Sequence, residues 1–346
     1  MIVLQERIAL MVKLGHYFKN NNEEWQNVAA LAERQNGWFT QAFIQLAIHN
    51  ITDEFLDETK LQQWIAQYSQ TIDADNDTHK NRPTVGLVMA GNIPLVGFHD
   101  FLCVFIMGFN LKIKLSSKDT VLWKHILSLL AQWNSEFARM VSVEEMLKNC
   151  DAYIATGSNN SARYFEQYFS KYPSIIRKNR TSVAVLDGTE TQEELSFLAN
   201  DVCSYYGLGC RNVTKIYVPA QYNFEALLPA FQPYKHHADH NKYRNNYDFQ
   251  LAIFLLNNVQ YMTDESLLIV PNESPFAAIS VLHYETYSDK NSLIAELSKD
   301  DRIQCVSTKN PAESLSVKRF GENQIPTLTD YADGVDTIKF LGTLIA

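Results

Sequence analysis

The chain has 346 residues, enough for two domains with sizeable cores. Its apolar and charged fractions are those of a globular protein, which excludes a disordered chain, and its net charge of -9 argues against nucleic acid as a ligand. Its 5 cysteines have irregular spacing and no C-x-x-C pair, which argues against a disulfide framework and a structural zinc site and fits a reducing, cytoplasmic compartment.

The opening stretch MIVLQERIALMVKLG holds Glu6 and Arg7 inside its apolar run and lacks the order of a secretory signal. Residues 1–80 read as helices. Apolar side chains recur at three- and four-residue steps in Ile8, Met11, Val12 and Leu14, and again in Phe43, Leu46, Ala47 and Ile51. This section carries no recognisable chemistry. The longest apolar run, Phe101 to Phe109, is too short to span a bilayer, so no membrane insertion is expected.

At Pro83 the texture changes. Thr84 to Ala90 is a continuous β-rich apolar run, as for a strand buried on both faces. A helix over about Leu95 to Met107 follows, with Gly108 as its C-cap, and Asn110 to Leu115 is the next strand. Strand, helix, strand implies a parallel sheet. The alternation continues with a helix over Val121–Phe137, a strand over Asp151–Ala155 and a helix from Asn160 to about Phe169. Next come a strand over Ser182–Leu186, a helix over Glu193–Tyr206, and strands over Lys215–Val218 and Ala277–Leu282. The fold class is α/β.

Several segments can carry chemistry, each with a plainer alternative. Gly207-Leu208-Gly209-Cys210 lets the backbone approach closely and leaves a thiol reachable for attack on a carbonyl; a buried cysteine in a tight turn is the alternative. Asn92, in Gly91-Asn92-Ile93-Pro94 behind the first strand, can donate to an oxyanion or simply shape a turn. Lys114, with Ser116 beyond it, ends the second strand and can reach ribose or phosphate oxygens, or be solvated. Thr156-Gly157-Ser158 opens a helix and suits a phosphate, or Ser158 is an ordinary N-cap. There is no G-x-G-x-x-G or Walker pattern. His236-His237-Ala238-Asp239-His240 invites a metal, but no partner set with ligand spacing follows, so no metal is expected. A polar loop at a site mouth, with Tyr234, Tyr243, Tyr247 and Phe249 lining it or lying in the core, is the better reading.

The order and spacing of these segments resemble the aldehyde dehydrogenase superfamily: Asn92-x-Pro94, Lys114-x-Ser-Ser, Thr156-Gly157-Ser158, a strand ending in Asp187-Gly188, then Gly207-x-x-Cys210. The stretches Tyr206–Thr214 and Asp330–Asp336 are most similar to its acyl-CoA reductase branch, which includes the fatty-acid reductase of bacterial bioluminescence. The resemblance covers residues 80–346 and says nothing of 1–80.

The resemblance implies an aldehyde-dehydrogenase-like fold with two parallel α/β lobes. The parts it implies are an N-terminal helical section (1–80), a nicotinamide-cofactor-binding domain (81–188), a catalytic domain with the nucleophilic cysteine (189–320) and a C-terminal tail strand (321–346). By the same resemblance Cys210 is the nucleophile, and Asn92 with the Cys210 backbone N–H forms the oxyanion hole. Asp187 falls where the family has its glutamate base, one methylene shorter. Lys114 and Ser116 are implied to hold the adenosine ribose or a 2′-phosphate, and Gly157 and Ser158 the pyrophosphate. Glu273 and Phe276 would meet the nicotinamide-side ribose, although one residue too many separates them. The branch uses NADPH, and the residues leave NADH open. The implied substrate is an acyl-CoA or acyl-protein, and Thr337–Leu341 would pair with a neighbouring subunit in a homo-oligomer. An oxidative aldehyde dehydrogenase giving a free acid, and an acyl-binding partner protein with reduced catalysis, are the alternatives.

Overall fold

Helices fill the first stretch of chain, where apolar spacing places them. α1 (Leu4–Asn20) buries Ile8, Met11, Leu14 and Phe18 on one face. α2 (Glu23–Gln35) is capped by Asn22, whose side chain accepts the Trp25 N–H. α3 (Gln41–Asn50) starts at Thr40 in the same way and runs into a π-helical turn, Ile51–Phe55. α4 (Glu58–Ala66) is capped by Asp57. The computed structural model describes residues 2–72, 82–311 and 317–345, so the last part of the expected 1–80 section lies outside the described residues.

The chain divides into two units, Met1–Asn179 with Pro326–Ala346, and Arg180–Ile325. In the first, β1 (Thr84–Val88), α5 (Phe98–Ile106), β2 (Asn110–Lys114), α6 (Thr120–Trp133), α7 (Phe137–Met140) and β3 (Val141–Val143) are followed by β4 (Ala152–Thr156), α8 (Asn159–Phe169) and β5 (Ser174–Arg177). The five strands are parallel in the order β3-β2-β1-β4-β5. Strand order reverses between β1 and β4, and in such sheets ligands bind at that switch point, beyond the strands' carboxyl ends.

The N-terminal helices share one hydrophobic core with this sheet: Met11, Leu14 and Trp64 lie in it with Leu87, Phe101 and Trp123. Arg7 is buried and closes the end of α5, its Nε donating to the Ile106 carbonyl at 3.1 Å.

The second unit holds β6 (Thr181–Val185), α9 (Gln192–Cys203), β7 (Val213–Pro219), α10 (Asn241–Leu256), β8 (Met262–Thr263) and β9 (Leu268–Pro271). β10 (Val281–Tyr287), α11 (Lys290–Leu297), β11 (Ile303–Thr308) and β12 (Val317–Lys318) complete it. Its sheet order is β12-β11-β6-β7-β10-β9-β8, with only β8 antiparallel to its neighbour.

Two expected boundaries differ from these. The division falls between Asn179 and Arg180, because β6 pairs with β7 and β11. The region 81–188 therefore runs past the first unit. The tail is helical: α12 (Thr337–Gly342) starts behind Asp336, whose side chain accepts the Lys339 N–H. The buried pair Ile338 and Leu341 sits three residues apart, a helical spacing that outweighs the β-rich look of Thr337–Leu341. The segment Thr337–Leu341, expected as a strand that pairs with a neighbouring subunit, is therefore helix. It is tied into the first unit by Arg177, which pairs with Asp100 at 2.6 Å and donates to Thr337 Oγ1 at 3.2 Å.

Candidate active site

The cysteine turn is built by backbone strain and one asparagine. Behind α9 three consecutive residues take left-handed conformations: Tyr205 (φ 53°), Tyr206 (φ 56°) and Gly207 (φ 75°). Gly207 accepts this without penalty, but each tyrosine costs about 1–2 kcal/mol. Such strain persists where surrounding contacts over-determine it. Asn212 supplies them. It is fully buried; its Nδ2 donates to the carbonyls of Asp201 (3.0 Å) and Ser204 (2.8 Å), and its Oδ1 accepts the Gly209 N–H at 2.8 Å. Both tyrosines are buried, and the Tyr206 ring stacks on His240 and meets His237 edge-on. Cys210 is half-buried at the end of this turn.

Strand direction decides which residues of this unit share an edge. β6 and β7 are parallel, with Ser182 level with Val213. Cys210 precedes β7 and so lies at the amino edge, where Ser182 Oγ donates to its carbonyl at 3.1 Å. Asp187 follows β6, at the carboxyl edge. Five residues separate it from Ser182, about 16 Å at about 3.3 Å per residue. The Asp187 carboxylate accepts from Thr189 N (3.0 Å) and Oγ1 (2.6 Å) and pairs with Lys290 at 3.0 Å. Against the upward push of partial burial, these bonds hold it well below the usual carboxylate range. Expected as the base beside the thiol, Asp187 is instead a structural ion pair on the opposite edge.

The Glu273–Phe276 segment fares differently. Thr214, at the start of β7, donates to the Pro275 carbonyl at 2.6 Å, and its hydroxyl meets that of Thr181, which reaches the Asn212 carbonyl. This end of the segment therefore shares the amino edge with Cys210. Glu273 is exposed and Phe276 half-buried. A cavity of about 20 Å³, lined among others by Tyr206, Gly207, Thr214 and Ile279, sits beside the turn and has room for about one water.

In the histidine run the His236 and His237 rings meet edge-on at 4.7 Å. His240 caps α10 by accepting the Tyr243 N–H, and His236 Nδ1 lies 2.8 Å from the Pro233 carbonyl. Burial, with His236 and His240 adding, pushes His237 down to about 3. Tyr243 and Tyr247 are buried, Tyr234 packs against the core, and Phe249 is exposed.

In the first unit, Asn92, Lys114, Ser116, Gly157 and Ser158 all lie at or beyond the carboxyl ends of β1, β2 and β4, flanking the switch point. Asn92 is half-buried and Lys114 exposed. The two loops approach so closely that a Cβ on Gly91 would stand 2.5 Å from Ser116 Oγ, which requires glycine there. Ser158 caps α8 by accepting the Ser161 N–H at 3.3 Å, and the Gly157 N–H donates to the Arg177 carbonyl at 3.4 Å. The helix itself supplies no partner for the amides ahead of Ser161. Lys114, exposed at the end of β2 with β1 between it and β4, adds a cation to a donor set that fits a dinucleotide's phosphates and ribose.

Asp119 is a residue that sequence reasoning missed. It is buried, it accepts the Leu95 N–H at 2.7 Å, and Leu95 takes φ 54°. It thus holds the loop that carries Asn92. Burial pushes its carboxyl well up. Its place before α6 suggests an N-cap, but its side chain makes no cap bond. Asn212 was also missed, although it stands within the Tyr206–Thr214 stretch.

A family model described as Acyl-CoA reductase (LuxC) matches residues 15–226, so the match reaches into the helical section. No curated protein matches the chain. Among solved structures, the chain is similar to aldehyde dehydrogenase 21 from Physcomitrella patens in complex with the reaction product succinate. It is 11% identical, covering 99% of this chain and 85% of that one, with a TM-score of 0.68. An oxidoreductase from Marinobacter aquaeolei is 12% identical over 94% and 79%, with a TM-score of 0.64. An aldehyde dehydrogenase from Mycobacterium tuberculosis, complexed with NAD+, is 14% identical over 88% and 73%, with a TM-score of 0.61. At such identities the likeness is one of fold.

Proposed function

The chain belongs to the acyl-CoA reductase (LuxC) family, and from that premise we propose that it reduces an acyl-CoA thioester to an aldehyde through a covalent acyl-enzyme on Cys210. The observation that carries this reading is the turn itself: a half-buried thiol behind two strained tyrosines, pinned by a fully buried asparagine. Strain of this kind is retained at functional sites.

The Cys210 thiolate attacks the acyl carbonyl, an S–C bond forms, and the CoA thiolate leaves with the electron pair of the broken bond. The oxyanion that develops is stabilised by the Asn92 amide and the Cys210 backbone N–H. Asp119, by holding Leu95, keeps the Asn92 loop in place. NADPH, with NADH as the alternative, supplies a hydride when bound. Lys114 and Ser116 hold its adenosine ribose or 2′-phosphate. The first-turn amides of α8, behind Gly157 and Ser158, hold its pyrophosphate. Glu273 and Phe276 meet its nicotinamide-side ribose. Return of the electron pair to the Cys210 sulfur then releases the aldehyde. The placement of Asp187 favours this over an oxidative enzyme giving free acid, because that reaction needs a base to activate water whereas here a thiol leaves. No helix among the described residues is long and apolar enough to cross a membrane.

The test is a panel of acyl-CoAs with NADPH or NADH, following cofactor absorbance and aldehyde. Without cofactor, labelled acyl-CoA should acylate the protein, and Cys210→Ala should abolish both acylation and aldehyde release. Stable acylation or turnover of Cys210→Ala would refute the nucleophile.

A further inference from the structure

Lys215 lies in the middle of β7, a strand interior to its sheet, yet it is fully buried. A lysine ammonium out of water is costly unless its donors are satisfied, and replacing such a pair by apolar groups is often neutral or stabilising. Here Nζ donates to the Glu273 carbonyl at 2.7 Å and to Glu285 Oε2 at 2.5 Å, and stands 4.7 Å from the centre of the Tyr217 ring.

The Glu273 bond is one of a set. The segment between β9 and β10 has no sheet partner for most of its length, and three successive carbonyls are held by side chains instead. Lys215 takes Glu273 O, His283 Nδ1 lies 2.9 Å from Ser274 O, and Thr214 takes Pro275 O. Lys215 and His283 are paired in register, and Thr214 is the residue before Lys215. The segment is therefore tied along the sheet from its middle toward the amino edge, where the Cys210 turn lies. The Lys215 bond is the charged and stronger one, and it acts at Glu273 itself.

We propose that Lys215 is a positioning residue for the nicotinamide end of the cofactor: it sets the backbone of the segment that carries Glu273 and Phe276. This rests on the proposed function, in which that segment meets the cofactor. Glu285, about half-exposed, holds the Lys215 ammonium in turn.

The test uses the full chain and two variants, Lys215→Met and Glu285→Gln; the second loosens the lysine from a partly exposed position, where folding is least at risk. NADPH affinity is measured directly by its fluorescence on binding, without acyl substrate, beside KM and kcat. Weakening of NADPH binding on the order of tenfold in Lys215→Met, less in Glu285→Gln, is expected. The acyl-CoA KM should be unchanged, and amide hydrogen exchange should quicken within residues 272–280. A purely structural lysine would lower the melting temperature and leave NADPH affinity alone, which would overturn the proposal. Phe276→Ala separates the two levels. If it weakens NADPH while both Lys215→Met and Glu285→Gln do not, the positioning role is wrong and the segment's role stands. If it also has no effect, the assignment of the segment fails, and the positioning role with it.

Discussion

Replacing Asp187 by asparagine distinguishes a base from a strut. The carboxylate and its partner Lys290 are each about a quarter exposed, at 27% and 26%. In the variant the Thr189 bonds can persist, while Lys290 loses its counter-charge and can turn to solvent. An exposed pair contributes about 0.2–1 kcal/mol, and a partly buried, charge-assisted one about 1.5–3 kcal/mol. Asp187→Asn should therefore lower stability at pH 7 by about 1–2 kcal/mol. The carboxyl is depressed in the folded state, so its contribution is fully present above the unfolded carboxylate pKa of about 4 and is lost as pH falls below it. The gap between wild type and variant should begin to narrow as pH falls below about 4 and close only at the much lower pH where the folded carboxyl itself takes up a proton. The kinetic expectation is the opposite of a base's. A general base contributes about 10²–10⁴-fold and must lie within about 3 Å of its proton, or reach it through one water. At about 16 Å along the strand, Asp187 can do neither. The assay is single-turnover aldehyde formation from pre-acylated enzyme, beside denaturant unfolding. Turnover within about threefold of wild type is expected, well short of the loss of a base. A hundredfold fall in a folded variant whose thiol still alkylates would refute the edge argument.

Asn212→Ala leaves the Gly209 N–H and the carbonyls that Asn212 bonds without their buried partner, at about 1–3 kcal/mol for each group left unsatisfied. A loss of about 3 kcal/mol in unfolding free energy is expected, with slower acylation of Cys210; a change under about 1 kcal/mol would show that the strained turn stands without it. Stability should also depend on pH through two buried groups of the second unit. Burial, with Glu322 adding, pushes Asp201 up to about 8, so the folded state binds more protons than the unfolded and stability falls as pH rises from about 4 to 8. His237 at about 3 acts oppositely, raising stability as pH rises from about 3 to 6.5. The two cancel between about pH 4 and 6.5, leaving a fall of about 2 kcal/mol from pH 6.5 to 8. Asp201→Asn should lessen that fall, to which the buried Asp119 adds in the same direction, and a flat wild-type profile over that window would exclude the effect.

Much of the first unit was legible because its strands are buried on both faces and carry continuous apolar runs, as Thr84–Val88 does. Gly108 marked the end of α5 because only a left-handed residue closes a helix that way, and it takes φ 70°. Other features were hidden for identifiable reasons. Asp187 matched a family position by order along the chain, but order does not say on which edge of a sheet a residue stands. That depends on β6 pairing with β7, a long-range fact. Thr337–Leu341 has β-rich composition, and only its burial against α5 reveals the helical spacing. Asp119, Asn212 and Lys215 act through bonds to backbone groups distant in sequence, and no local pattern announces such bonds. The helical section carried no motif because its work is packing: Met11 and Leu14 lie in the same core as the sheet.

The tail's place in the first unit has a consequence during synthesis. Leu328, Tyr331, Ile338 and Leu341 are buried there, and Tyr331 links the Trp64 indole to Tyr68, whose hydroxyl reaches Asp336. Between these residues and Asn179 the ribosome makes the whole second unit, Arg180–Ile325. At about 5–20 residues per second this interval lasts roughly 7–30 s. Throughout it the first unit waits with the apolar surface of α5 and Trp64 uncovered, while the unit that bears Cys210 can already close. A nascent chain stalled before residue 326 should therefore recruit chaperones through its older half, and the segment from Pro326 through α12 acts as the latch that ends that dependence.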